Sequence, residues 1–99
     1  MFEILVTRGA ERDLRGLSAR DRRTVVDAME RQLIAEADVP TRNRKVLSPL
    51  RAPWAGLDPV WELRVGEFRV FHDVDAEEMQ VVVRAVRRKP PHRTTEEIL

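Results

Sequence analysis

The stretch from Trp61 to Asp75, Trp-Glu-Leu-Arg-Val-Gly-Glu-Phe-Arg-Val-Phe-His-Asp-Val-Asp, constrains the fold more than any other part of the chain. Two alternating runs rich in β-branched and aromatic residues flank Gly66-Glu67. A two-residue loop with Gly first is the pattern of a type II′ turn, whose first central residue takes a positive φ. That turn sets Val65 opposite Phe68, Arg64 opposite Arg69, Leu63 opposite Val70 and Trp61 opposite His72. Opposed residues share a face. Leu63, Val65, Phe68 and Val70 therefore form one apolar face, and the other carries Arg64 directly across from Arg69. His72 lies on the face of Trp61 and reads as a packed structural histidine.

A further strand follows from Met79 to Val86, after an acidic turn at Asp75-Ala76-Glu77-Glu78. Centring the pairing on that turn sets Val70 opposite Val83 and Arg69 opposite Arg84. Arg64, Arg69 and Arg84 then line up across three adjacent strands. Opposed like charges on a sheet are destabilising by up to ~1 kcal/mol, so a carboxylate such as Glu62 or Asp73, or an anionic ligand, is expected to offset them. A solvated face laced with ordinary ion pairs accounts for the pattern equally well. A one-residue register slip would move Arg84 to the other face.

Upstream, Phe2 to Val6 alternates as a first strand. Ala10, Leu14 and Leu17 have the spacing of a short amphipathic helix stopped at Gly16. Ser18 with Asp21 resembles a capping box that opens a second helix, whose apolar stripe is Val25, Val26, Met29, Leu33 and Ile34. Pro40 disfavours helix at the residue before it, so this helix is expected to end near Asp38. From Val39 to Pro59 the periodicity is lost. That segment holds Pro40, Pro49, Pro53 and Pro59 and the basic cluster Arg42-Asn43-Arg44-Lys45, and is read as a long loop. Its cluster is either a solvated loop or a phosphate-contacting lip beside the arginine face, with the lip favoured because the chain returns straight into the hairpin. Trp54 reads as a core plug or loop anchor, not as a base-stacking platform. After the last strand come Arg87-Arg88-Lys89-Pro90-Pro91-His92-Arg93, then a tail that forms a helical turn capped by Thr94 or Thr95 or is frayed.

With 99 residues the chain is expected to be one domain, 1–99, with a single modest core. A charged fraction of 35% against 42% apolar residues fits a globular chain, not a disordered one. The net charge of +1 argues against a dedicated nucleic-acid binder, so the distribution of charge matters more than its sum. Of 18 basic residues only Lys45 and Lys89 are lysines. Arg suits bidentate contacts to phosphate, although such a bias equally reflects a GC-rich genome. The absence of cysteine excludes disulfides and thiolate chemistry, and two histidines without metal-site spacing make zinc an unattractive reading. The opening residues do not read as a signal peptide and no apolar run approaches membrane length, so the cytoplasm is the expected compartment.

The order β-α-α-β-β-β, with Arg-Asn-Arg-Lys ahead of the hairpin, resembles the RelE/ParE superfamily of toxins from type II toxin–antitoxin pairs. The specific part is Gly66-Glu67-Phe68-Arg69-Val70-Phe71-His72-Asp73, which matches the family's glycine, aromatic, arginine and aromatic pattern. The resemblance implies an α+β domain with the helical hairpin packed on one face of a small, mainly antiparallel four-stranded sheet, the first strand beside the last. The opposite, concave face would hold the functional residues. RelE-like members cut mRNA in the ribosomal A site without metal or cofactor, inhibiting translation. On that pattern Arg69, Lys89 and His92 would be catalytic, and Arg42, Arg44, Lys45, Arg64, Arg84 and Arg88 would bind RNA. Where RelE-type enzymes carry lysines in the strand before the turn, this chain has Val60 and Glu62. The C-terminal Tyr or His of ribosome-dependent members has only His92 as a counterpart. ParE-like members share the fold, lack the nuclease residues and inhibit DNA gyrase, and a degenerate, non-catalytic binding module is a third reading. All three imply a cognate antitoxin protein as partner, in a toxin–antitoxin hetero-oligomer, and the nuclease reading adds mRNA on the ribosome.

Overall fold

The computed structural model describes residues 1–47, 52–54, 56–57 and 59–99. In chain order they form β1 (Glu3–Val6), α1 (Arg8–Arg15), α2 (Ala19–Glu36), β2 (Arg44–Leu47), β3 (Val60–Val65), β4 (Phe68–Asp75), β5 (Gln80–Arg88) and α3 (Thr95–Ile98). The strands make one five-stranded sheet in the order β1-β5-β4-β3-β2. Every pairing is antiparallel except β1 with β5, which is parallel. The first strand thus lies beside the last, as the family resemblance implied.

Both long helices begin where a side chain can satisfy a free N–H. The Thr7 hydroxyl accepts from the Ala10 N–H at α1, and Ser18 from the Asp21 N–H at α2. Gly16 closes α1. Ala10 and Leu14 of α1 and Val25, Ala28, Met29 and Leu33 of α2 pack on Leu63, Val65, Phe68, Val70, Val81, Val83 and Val86 of the sheet. This is the main core, and it uses the apolar hairpin face that the alternation marks out. Fully burying one such aliphatic side chain contributes ~2 kcal/mol.

The hairpin pairs as its turn dictates, with Arg64 opposite Arg69 and Leu63 opposite Val70. Gly66 has φ +57°, whereas Glu67 is not among the positive-φ residues, the pattern of a II′ turn and not of I′. Trp61 and His72 stack on the helix face with centroids 6.3 Å apart.

Two expectations are corrected. The sheet has a fifth strand, because Arg44–Leu47 pairs with Leu63–Val60 inside what reads as a loop. Four residues that are half charged carry no readable alternation, but they satisfy backbone groups at an otherwise open edge of β3. The remainder of that loop reading, at residues 48–51, 55 and 58 and including Pro49, lies outside the described residues. The second correction is the β4–β5 register, in which Val70 faces Val86 and Arg69 faces Arg87. The turn is Ala76–Met79, closed by the pair Asp75–Gln80, with Met79 at φ +52°. A β-bulge at Phe71/His72 then takes up one further residue of β5. Arg84 falls beside that bulge, and the third arginine of the row is Arg87.

On the sheet face away from the main core, Val60, Phe71 and Ala85 form a second, smaller cluster with Leu47, Ala52, Trp54, Ile98 and Leu99 against it. Trp54 packs on Phe71 at 6.0 Å, against the smaller cluster, in keeping with a core plug or loop anchor. The chain's end folds back over this face through α3, which has a complete capping box between Thr94 and Glu97. One half of the face is therefore apolar and covered, and the other half is open and charged.

Candidate nucleic-acid interface

The open half is a cleft of about 100 Å³ lined by Arg42, Asn43, Lys45, Glu62, Arg64, Arg69 and Lys89. Each arrives by a simple structural rule. Arg64 and Arg69 are opposed across the II′ hairpin, and Glu62 shares their face two residues along β3. Lys45 faces Glu62 from β2, with Nζ 3.8 Å from Oε1. Arg42 and Asn43 form the tip before β2, tied down by the Asn43 carbonyl accepting from the Arg64 N–H at 2.7 Å. Lys89 follows β5 and is placed at the hairpin turn by its N–H donating to the Glu67 carbonyl at 2.7 Å. Among the described residues five cations surround one carboxylate, a field suited to a polyanion.

Arg69 is 5% exposed. Its Nη1 donates to the carbonyls of Gly66 and Phe68, both at 2.8 Å. Among the described residues these are its hydrogen bonds, so the turn holds the guanidinium while the Nε and Nη2 edge stays available. That edge is the one that grips a phosphate or carboxylate with two parallel hydrogen bonds. Burial, and then the nearby Arg64 charge, pull the Arg69 guanidinium below its ordinary value, while Glu62 acts in the opposite sense. Arg69 stays charged throughout, since an arginine is not deprotonated in a protein.

The structure separates the expected site residues. Arg42, Lys45, Arg64, Arg69 and Lys89 come together. Arg44 does not, because adjacent strand positions point to opposite faces and Lys45 takes the cleft side. Arg44 is 2% exposed on the helix side, where Nε donates to the Val39 carbonyl at 2.7 Å and Nη1 to that of Gln32 at 2.6 Å. It ties β2 to the end of α2 and has no access to a ligand in the cleft. Arg84 is engaged instead by the fully buried Asp73, with Nε and Nη2 each 2.8 Å from Oδ2. The Leu57 N–H adds a third contact to that oxygen at 3.0 Å. Arg88 faces the helices, its guanidinium 4.9 Å from the Phe68 ring centroid and 3.7 Å from Asp21. His92 is exposed on the turn before α3 and is not among the cleft residues.

His72 is fully buried on the helix side, with Nδ1 3.3 Å from the Val70 carbonyl. Its pKa is lowered to about 4, chiefly by burial, with Arg44 adding to the shift and the Val70 carbonyl opposing it. It is the structural histidine that its alignment with Trp61 indicates.

Three features of this face escaped sequence reasoning. Glu62 entered it as a counter-charge, not as a component of the cleft, although its spacing from Arg64 places the two on one face. Arg87 is the third arginine of the row, and it forms an ion pair with Asp13 of α1. Thr95, thirty-three residues from Glu62, donates its hydroxyl to Glu62 Oε2 at 3.1 Å, a contact with no local signal. Among the described residues there is no group of three or more His, Cys, Asp and Glu side chains able to hold a metal ion, and no helix is long and apolar enough to cross a membrane.

Neither a family model nor a curated protein sequence matches the chain. Solved structures do. A chain of the RelBE2 toxin–antitoxin complex from Mycobacterium tuberculosis is 28% identical, with 89% of this chain and 98% of that one covered and a TM-score of 0.64. A chain of the RelE–RelB complex from Pyrococcus horikoshii is 15% identical, covering 94% and 98% at a TM-score of 0.61. The isolated RelE toxin of E. coli is 13% identical, covering 96% and 89% at a TM-score of 0.61. These last two likenesses speak for the fold.

Proposed function

We propose, from its likeness to a chain of the RelBE2 toxin–antitoxin complex, that the chain is a RelE-like toxin, the half of a toxin–antitoxin pair that cuts mRNA on the translating ribosome. The observation that carries the reading is the opposed pair Arg64 and Arg69, set in a cleft with Arg42, Lys45 and Lys89. A sheet that aligns like charges is relieved when a bridging phosphate binds between them.

The reaction is attack of a ribose 2′-oxygen on the adjacent phosphorus with loss of the 5′-oxygen. Its demands are cations where charge builds on the phosphate, a proton acceptor and a proton donor. The free Nε and Nη2 edge of Arg69 takes the non-bridging oxygens, with Arg64 beside it. Lys89 lies at the turn end and has a proton to give. Arg42 and Lys45 hold flanking phosphates. His92 is assigned no step, since it lies outside the cleft lining. The partner is a cognate antitoxin whose segment crosses this cationic face and neutralises it.

Purified protein added to translating ribosomes should yield mRNA cut within codons in the A site. Arg69→Ala should lose that activity while still binding the antitoxin encoded beside it. Intact mRNA together with gyrase-dependent DNA cleavage would overturn the nuclease reading and favour a gyrase inhibitor. Failure to bind the product of any adjacent gene would overturn the toxin–antitoxin reading.

A further inference from the structure

We infer that Glu62 is the proton acceptor of the cleft, taking the proton of the attacking ribose 2′-hydroxyl. This rests on the nuclease reading above and gives that site a residue it otherwise lacks. Among the described residues Glu62 is the one carboxylate that lines the cleft, and the others are cations and an amide, none with a lone pair suited to hold a proton. It is 4% exposed. A carboxylate this buried is expected to have its oxygens matched by hydrogen bonds. Among the described residues Glu62 has them on one side only. Oε2 accepts from the Thr95 hydroxyl at 3.1 Å, whereas Oε1 faces the exposed Lys45 ammonium at 3.8 Å. An oriented carboxylate with one oxygen held and the other unspent is what a general base requires.

The strand register supplies the second argument. Glu62 lies level with Phe71 and Ala85, the opposed arginines lie one step nearer the turn, and Lys89 lies beyond them beside Glu67. Two residues of strand rise span ~7 Å. Base, phosphate clamp and acid thus succeed one another along the cleft, as in-line displacement requires, with attacking and leaving oxygens on opposite sides of phosphorus. Glu62 Oε1 takes the 2′-hydroxyl proton as the 2′-oxygen bonds to phosphorus. The P–O5′ bond then breaks and Lys89 protonates the 5′-oxygen. The products are a 2′,3′-cyclic phosphate and a 5′-hydroxyl, and solvent returns the proton from Glu62 to Lys89. No electron transfer or further reactant is needed.

The test is Glu62→Gln in the full chain, assayed by single-turnover cleavage on programmed ribosomes. Gln keeps the Thr95 hydrogen bond through its amide oxygen but cannot take a proton. Cleavage should fall ~10²- to 10⁴-fold. Binding to ribosomes carrying a 2′-deoxy, uncleavable A-site codon should be unchanged or tighter, because a negative charge has left the cleft. The acidic limb of the wild-type pH–rate profile should disappear, and Glu62→Asp should restore part of both rate and limb. Cleavage by Glu62→Gln within threefold of wild type, or a full wild-type rate for Glu62→Asp if the Gln variant does not fold, overturns the role of Glu62 and leaves the nuclease reading standing. No cleavage by wild type overturns both.

Discussion

Arg64 and Arg69 occupy directly opposed positions on adjacent strands, yet only Arg69 is buried, and the hairpin's own carbonyls hold it there. The two arginines therefore have different energetics despite equal charge. Arg64 is exposed and contributes repulsion that solvent partly screens. Arg69 contributes the same repulsion but also satisfies the Gly66 and Phe68 carbonyls at the turn.

It follows that the two alanine variants should differ in sign. Arg64→Ala should leave the protein equally stable or more stable by a few tenths of a kcal/mol, on the scale of opposed like charges. Arg69→Ala should be no more stable than wild type, because two hydrogen bonds to a charged donor are lost along with the repulsion. Its cleavage rate should fall ~10²- to 10³-fold, the usual effect of removing one stabiliser of transition-state charge. Urea melts and single-turnover cleavage of both variants check this. A gain in stability for Arg69→Ala equal to that for Arg64→Ala would contradict the positioning role of the turn.

Neighbouring basic residues on β2 should separate cleanly by assay. Arg44→Ala removes two charge-assisted hydrogen bonds to helix carbonyls and should cost about 3 kcal/mol. Lys45→Ala should cost little stability but reduce the slope of log affinity against log salt by ~0.7 for one lost single-strand phosphate contact. The pair of measurements distinguishes a structural arginine from a ligand-facing lysine one residue away.

His72 makes stability depend on pH in a predictable direction. Its folded pKa is about 4 against an ordinary 6.5, so the unfolded chain binds more protons between those values. Stability from this residue is fully present above pH 6.5 and is lost as the pH falls toward 4. Between pH 7 and pH 5 the loss should be about 2 kcal/mol. Denaturant midpoints for wild type and His72→Phe across that range test it. An equally steep decline in the variant would assign the pH dependence to other groups.

Asp73 anchors Arg84 and the Leu57 N–H against the bulged strand. Asp73→Ala should destabilise by ~3 kcal/mol, since breaking a buried pair leaves an unmatched charge. Gly56→Ala should act through the same carboxylate, because a Cβ there would lie 2.5 Å from Asp73 Oδ2. Thermal melts of the two single variants and the double variant should show strong non-additivity, as expected for groups sharing a partner.

The hairpin, the helices and the row that begins Arg64–Arg69 were legible in the amino-acid sequence because local geometry specifies each of them. A II′ turn sets the register of its own strands, caps and apolar spacing set the helices, and alternation assigns faces without reference to the rest of the molecule. The arrangement around that row was decided only by tertiary structure. Val81-Val82-Val83 has no alternation, so it matches either register, and the choice fell to a left-handed Met79 and a bulge that shift Arg87 into the row and Arg84 out of it. Arg44 and Lys45 are chemically alike in sequence, and became a buried tie and a cleft cation only when β3 drew them into an edge strand. The setting of Glu62 depends on Thr95 from the far end of the chain and on Lys45 from β2. Such contacts form between residues distant in sequence, whose loop-closure cost is repaid only by the folded sheet. No local pattern encodes them.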